Sequence, residues 1–389
     1  MDFNQIIDRR GTYCTQWDYV ADRFGQANLL PFTISDTDFL LPKEIIEILH
    51  HRVDHGVFGY SRWNHDDFKN CVKKWFDDQF DAKIESEWIT YSPSVIYAVS
   101  QLIKIKSEVG QGVIIQTPAY DAFFKTIRQN DRLVVENPLI YTDGKYFIDF
   151  VDLEKLMSKK ENRILLFCSP HNPSGRVWTK DELDKVISLC KKYDVFLISD
   201  EIHMDIVRKS FKHIPITEMI QENVALLTSG SKTFNFAGLL FSYLLIPDNE
   251  TKELFLIQLK NADGLSSPSV LGMLATMTAY SKCGSWVQDL NEYIQSNELF
   301  VKKFLKENCP CIVPVNSEAT YLMWLDISKM RVEMNQLQNW LVNKGKVAIM
   351  NGIVYGGNGE QFLRLNIGCS KGKIEQGLLR LKEVYNSLM

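Results

Sequence analysis

Residues 163–203 read RILLFCSPHNPSGRVWTKDELDKVISLCKKYDVFLISDEIH. A short β-rich run, RILLFCS, leads through a loop into the helix-length stretch KDELDKVISLCKKY, and VFLISD closes the unit. Strand, helix and strand in succession predict a βαβ unit, and the continuous apolar character of both strand runs predicts a sheet covered on both faces. The pattern repeats on either side. EWITYS is followed by SVIYAVSQLIKIK, and GVIIQT by AYDAFFKTIRQN; VALLTSGS comes after the quoted stretch, and one more apolar strand lies near 241–246. From about residue 87 the chain therefore reads as α/β.

The pattern then changes. Long helices fill roughly 269–306, followed by ATYLMWLDI, a helix near MNQLQNWLVNKG, VAIM, the strand QFLRLNI and a last helix KGKIEQGLLRLKEVYNSL. This predicts a second, smaller α+β domain, which the first 45 or so residues join unless they wrap a partner. The 389 residues are enough for two cores, because single cores stop growing at roughly 250–300 residues. A net charge of −4, with 45% apolar and 24% charged residues, gives no basic surface excess for nucleic acid. The N-terminus has no apolar signal core, and no apolar run approaches the ~20 residues a membrane helix needs. The eight scattered cysteines contain no C-x-x-C, so free thiols in a reducing cytoplasm are expected.

Ligands of open α/β sheets bind beyond the carboxyl ends of the strands. Those ends carry Ser92-Pro93-Ser94-Val95-Ile96, Thr117-Pro118-Ala119-Tyr120, Cys168 to Gly175 with Asn172, Asp200-Glu201-Ile202-His203, and Ser229-Gly230-Ser231-Lys232. Each has a plain reading alone: a capped helix, a core aromatic, a turn, an N-cap, a surface lysine. Asp200, Glu201, His203 and Asp205 could suggest a metal site, but no second His/Cys cluster supports one. YGGNGEQF, 355–362, lacks G-x-G-x-x-G and reads as a turn before a strand. Together the strand ends have one economical explanation. A desolvated lysine can form a Schiff base with a carbonyl. A carboxylate can keep a pyridine nitrogen protonated, helix N–H groups bind phosphate, and an aromatic face stacks on a flat ring. Those are the needs of pyridoxal 5′-phosphate.

The order PSVIYAVS, TPAYDAFF, HNPSGRVW, SDEIHMD, SGSKTFNFAG, FLRLNIG resembles the fold-type I, class I/II aminotransferase superfamily. TISDTDFLLPKEI and FGYSRWNHDDF narrow the resemblance to its MalY–PatB group of cystathionine β-lyases. The likeness covers nearly the whole chain. It implies the aspartate aminotransferase-like fold of pyridoxal-phosphate-dependent transferases: an N-terminal arm or part of the small domain over 1–45, a large coenzyme domain with a mostly parallel seven-stranded sheet over 46–280, and a small α+β domain over 281–389. It also implies roles. Lys232 holds the coenzyme and shuttles the Cα proton. Asp200 pairs with the pyridine nitrogen, Asn172 and His203 stand by the ring oxygen, and Tyr120 stacks on the ring. The N–H groups of Val95 and Ile96, with Ser229 and Ser231, hold the phosphate. Tyr60 reaches the phosphate of the neighbouring subunit in a homodimer, and Arg364 clamps the substrate carboxylate. No metal, nucleic acid or membrane partner is implied.

Three departures from the group stand out: Ser94 where many relatives have glycine, which makes close backbone approach less free; Leu240 where many aminotransferases have an arginine, a lack the lyases share; and Thr37 for a methionine. The expected reaction is β-elimination from cystathionine or a cysteine S-conjugate, giving a thiol, pyruvate and ammonia. An amino acid aminotransferase would use the same residues. A regulatory binding protein with structural coenzyme is the reading from another class.

Overall fold

The structure, a computed structural model, describes residues 2–389. Its larger sheet has seven strands in the spatial order Ile89–Ser92, Ser242–Leu245, Val224–Thr228, Phe196–Asp200, Asn162–Cys168, Gly112–Thr117 and Leu133–Pro138. Six run in one direction, and Ser242–Leu245 runs antiparallel to both neighbours. The reversal puts the N-terminal end of that strand, at Ser242, on the same sheet edge as the carboxyl ends of the other six. The central strands are buried along their whole length, as a sheet with two covered faces requires.

Helix Val95–Lys106 crosses the middle of this sheet. The quoted unit folds as read, with helix Lys180–Tyr193 between its strands. Thr179 and Glu182 form a reciprocal capping box at its start, which satisfies two of the helix's orphan donors. Asp194 ends it in the left-handed region.

A second sheet of five strands has the order Leu30–Phe32, Val347–Asn351, Phe362–Asn366, Leu322–Asp326 and Val313–Pro314. The N-terminal segment thus joins this sheet, pairing parallel to Val347–Asn351. Helices Gly284–Asn308, Met334–Asn343 and Lys371–Leu388 pack with it. Among the described residues, no helix is long and apolar enough to cross a membrane.

Candidate active site at the strand ends

One cavity of about 190 Å³ opens at the carboxyl edge of the large sheet, and Lys232, Asp200, Asn172, His203 and Tyr120 all line it. Val95, Ile96, Ser229 and Ser231 line it too. Arg364, on the smaller sheet, does not line it but donates to Asn172 Oδ1 at 3.3 Å. Tyr60 does not line it; in the single chain its side chain is 99% exposed.

Lys232 follows strand Val224–Thr228 through the Ser229–Ser231 turn. Its Nζ donates to the carbonyl of Ser35 at 2.7 Å. Burial lowers its pKa; Asp36 is the strongest opposing charge, Arg364 adds to the lowering, and Asp200 opposes it. An amine with a lowered pKa is readily deprotonated, as a nucleophile must be.

Asp200 ends its strand, is 4% exposed, and accepts from the N–H of Ile202 at 3.2 Å. No side chain among the described residues donates to its carboxylate. Burial pushes its pKa up to about 7, with the Ile202 N–H and Lys232 pulling the other way. A carboxyl in this state ionises fully once a cation is placed against it. His203 is buried and its Nδ1 has no hydrogen-bond partner. Burial, then Lys232 and Arg364, bring it down to about 3, so the ring is neutral. Its neighbours diverge: Glu201 accepts from buried His213 at 2.7 Å, and Asp205 accepts from Trp75 at 3.0 Å and Thr233 at 2.7 Å. Among the described residues no group of three His, Cys, Asp or Glu side chains is placed to hold a metal ion.

The start of helix Val95–Lys106 is an anion site in waiting. Ser94 caps it by accepting from Tyr97 N at 3.1 Å, and the Ala98 N–H bonds to Ser94 O. The Val95 and Ile96 N–H groups have no acceptor among the described residues and belong to the unsatisfied first turn. Ser94 has extended backbone, φ −154°, so the serine sits there without strain and contributes a cap that glycine lacks. Ser229 Oγ donates to Phe241 O at 2.6 Å and accepts from Ser231 N; the Ser231 hydroxyl has no partner among the described residues. Leu240, with φ +51°, lines the cavity beside them.

Arg364 donates through one Nη to Thr33 O at 2.7 Å, and its cation lies 4.9 Å from the Tyr355 ring centre. Its Nε is buried without a partner. The Asn172 loop is tied to the smaller sheet's side by Gly175, whose φ is +70°. Its carbonyl accepts from Glu318 N and Ala319 N, and a Cβ there would lie 2.3 Å from Ser317 Oγ.

Sequence reasoning missed the segment that joins these parts. Residues 33–37 form a strap whose carbonyls hold Arg364 at Thr33 and Lys232 at Ser35. Tyr321 also donates to Ser35 O at 2.9 Å. Asn366 donates to the carbonyls of Ile34 and Asp36, and Asn235 brackets Thr37 by its N–H and carbonyl. Arg9 bridges Asp36 and Asp38. Thr37 is used through its backbone, and its Oγ1 is buried without a partner.

The residues present fit pyridoxal phosphate: a depressed amine, a buried carboxyl lacking a cation, free helix N–H groups and a neutral imidazole surround one cavity. This fold and this site define an aminotransferase-fold protein. The chain belongs to the class I and II aminotransferase family, whose model matches residues 27–381, and within it to the MalY–PatB group. It is 46% identical to Protein MalY of Escherichia coli (strain K12) over 380 residues, 98% of this chain and 97% of that one. It is 37% identical to the cystathionine beta-lyase PatB of Bacillus subtilis (strain 168) over 385 residues, 98% of this chain and 99% of PatB. Cystalysin from Treponema denticola, whose structure contains pyridoxal 5′-phosphate, superposes with a TM-score of 0.94 at 33% identity, covering 100% of this chain and 99% of that one. A PLP-bound putative aminotransferase from Clostridium difficile 630 superposes with a TM-score of 0.96 at 35% identity, covering 99% of this chain and 100% of that one.

Proposed function

We propose that the protein is a pyridoxal-phosphate-dependent carbon–sulfur β-lyase acting on cystathionine or a related cysteine S-conjugate, with a thiol, pyruvate and ammonia as products. The observation that carries it is the convergence of Lys232 and Asp200 on one cavity, with Arg364 bonded to Asn172 in its lining. The likeness to PatB favours elimination over amino transfer.

When bound, the coenzyme supplies the electron sink that makes the substrate Cα–H bond acidic. Lys232 Nζ would hold it covalently and, when freed by the substrate, would remove the Cα proton. Burial lowers the pKa of that amine and so favours the neutral form that can accept a proton. Asp200 would become anionic against the ring nitrogen and keep it protonated. Arg364 turns toward the substrate α-carboxylate, to which its free Nε and an Nη present the planar fork this acid needs. Tyr120 would cover the ring, and Asn172 and His203 would stand by its oxygen. The Val95 and Ile96 N–H groups with the Ser231 hydroxyl would hold the phosphate, Ser229 supporting the turn. The pair left at Cα would form the Cα–Cβ double bond as the Cβ–S bond breaks and its own pair leaves with the thiolate; Lys232 would displace the three-carbon enamine, and water would hydrolyse it to pyruvate and ammonia.

In the functional unit two chains pair, and Tyr60 of each reaches the other's phosphate. Its exposure, beside exposed Val57 and Phe58, supports this, because adjoining exposed apolar groups mark interaction surfaces. A monomer in sedimentation that binds the coenzyme at full affinity would contradict it. Eight unpaired cysteines suit a reducing cytoplasm.

The test of the reaction is pyruvate release by coenzyme-loaded protein from L-cystathionine with no keto acid present. Steady release supports the lyase, and a strict requirement for 2-oxoglutarate overturns it.

A further inference from the structure

Arg23 has no role in the chemistry described so far. It sits in the short helix Val20–Phe24, which Gly25 ends in the left-handed region. It is exposed and makes no ion pair among the described residues. One of its Nη groups donates to Met350 Sδ at 3.2 Å, a weak acceptor that leaves the guanidinium fork free.

The position of Met350 is informative. In the smaller sheet it lies directly opposite Arg364, and opposed residues of an antiparallel pair project from the same face. One side chain therefore separates the two arginines. Their fields overlap: burial raises the hydroxyls of Tyr120 and Tyr355, and both Arg364 and Arg23 pull each of them back down. Arg23 also stands where two surface clefts meet, one passing Gln26 and Asn351, the other passing Asp121 and Val354. The carboxylate of Asp121 is already paired with Lys125 at 3.0 Å.

A thioether substrate held by Arg364 through its α-carboxylate has a flexible leaving half, and Arg23, one side chain from Arg364, is a cation within its range. We propose that Arg23 is a second carboxylate-binding group, so that the site selects thioethers whose leaving half carries an acid over those with a neutral alkyl group. This rests on the lyase reading for the substrate, while the two-arginine geometry stands apart from it. A free guanidinium binds a carboxylate by paired charge-assisted hydrogen bonds. The second carboxylate adds affinity without touching the reacting atoms, so the effect falls on KM.

Two measurements on the coenzyme-loaded protein test it. In the first, the ratio of kcat/KM for L-cystathionine to that for S-methyl-L-cysteine falls about tenfold in Arg23→Gln, through KM, and Arg23→Lys recovers part of it. An unchanged ratio overturns the proposal. In the second, calorimetry compares the unreactive straight-chain acids pimelate and hexanoate. The wild type binds the dicarboxylate more tightly and Arg23→Gln loses that preference; equal binding by the wild type, or a preference surviving in the variant, overturns the proposal. Failure of the lyase reading looks different: neither thioether yields pyruvate, yet the dicarboxylate preference remains.

Discussion

Replacing Asp200 by asparagine separates what this carboxyl costs the coenzyme-free fold from what it does for the coenzyme. Its pKa rises from 3.8 to about 7, chiefly through burial. At 1.36 kcal/mol per unit, a rise of about three units corresponds to about 4 kcal/mol of differential destabilisation of the anion. The direction follows from proton linkage. Between roughly pH 4 and 7 the folded chain holds a proton that the unfolded chain has lost, so stability falls as pH rises through that window. The cost is absent below the unfolded value and complete above the folded one. Asp200→Asn removes the ionisation. Coenzyme-free variant and wild type should then unfold alike near pH 4, while at pH 8 the variant should be more stable by up to about 4 kcal/mol. Paired thermal melts at the two pH values measure this. Added pyridoxal phosphate should reverse the order at pH 8, because only the wild type gains an ion pair with the ring nitrogen. The same variant should lose on the order of a thousandfold in kcat. A stability difference that is equal at both pH values, or a coenzyme-free variant less stable at pH 8, would refute the reasoning.

Arg364→Ala should lower kcat/KM about a hundredfold, because it removes the carboxylate fork and leaves Thr33 O and Asn172 Oδ1 without their donor; steady-state kinetics read this, and an effect below twofold would remove Arg364 from the site. Ser231→Ala should weaken coenzyme affinity about tenfold with little change in the melting point, since that hydroxyl has no partner among the described residues. Ser229→Ala should cost about 1 kcal/mol of stability instead, through its bond to Phe241 O; a reversed pattern would exchange the two roles. Thr37→Val should leave stability unchanged or raise it by about 1 kcal/mol, because the buried hydroxyl it removes has no partner. A clear loss in the melt would show that the hydroxyl is used.

Much of the site was legible because strands of a parallel sheet end in turns whose residue types differ from strand and helix alike. Lys232, Asp200 and Asn172 could be picked out that way, and they line one cavity. The direction of strand Ser242–Leu245 was not legible. A strand buried on both faces has no alternation, and nothing in its apolar run records which way it points. The strap at 33–37 was illegible for another reason: Thr33 and Ser35 act through backbone carbonyls, which every residue has. TISDTDF served to narrow the family resemblance and stood out for its threonine, whereas its work is to hold Lys232 and Arg364 at fixed places. Buried partners such as Tyr321, which meets Ser35 from far along the chain, follow from the fold and not from any local pattern. After Asp200 the chain turns without forming a helix, and the His203 imidazole lines the cavity as expected.

Borohydride reduction of the coenzyme-loaded protein, followed by mass mapping, bears most directly on all of this. The account predicts an absorption band near 420 nm that reduction abolishes, with the added mass on the peptide carrying Lys232 and no such band in Lys232→Ala. A label on any other lysine, or a band that survives in the variant, would contradict it.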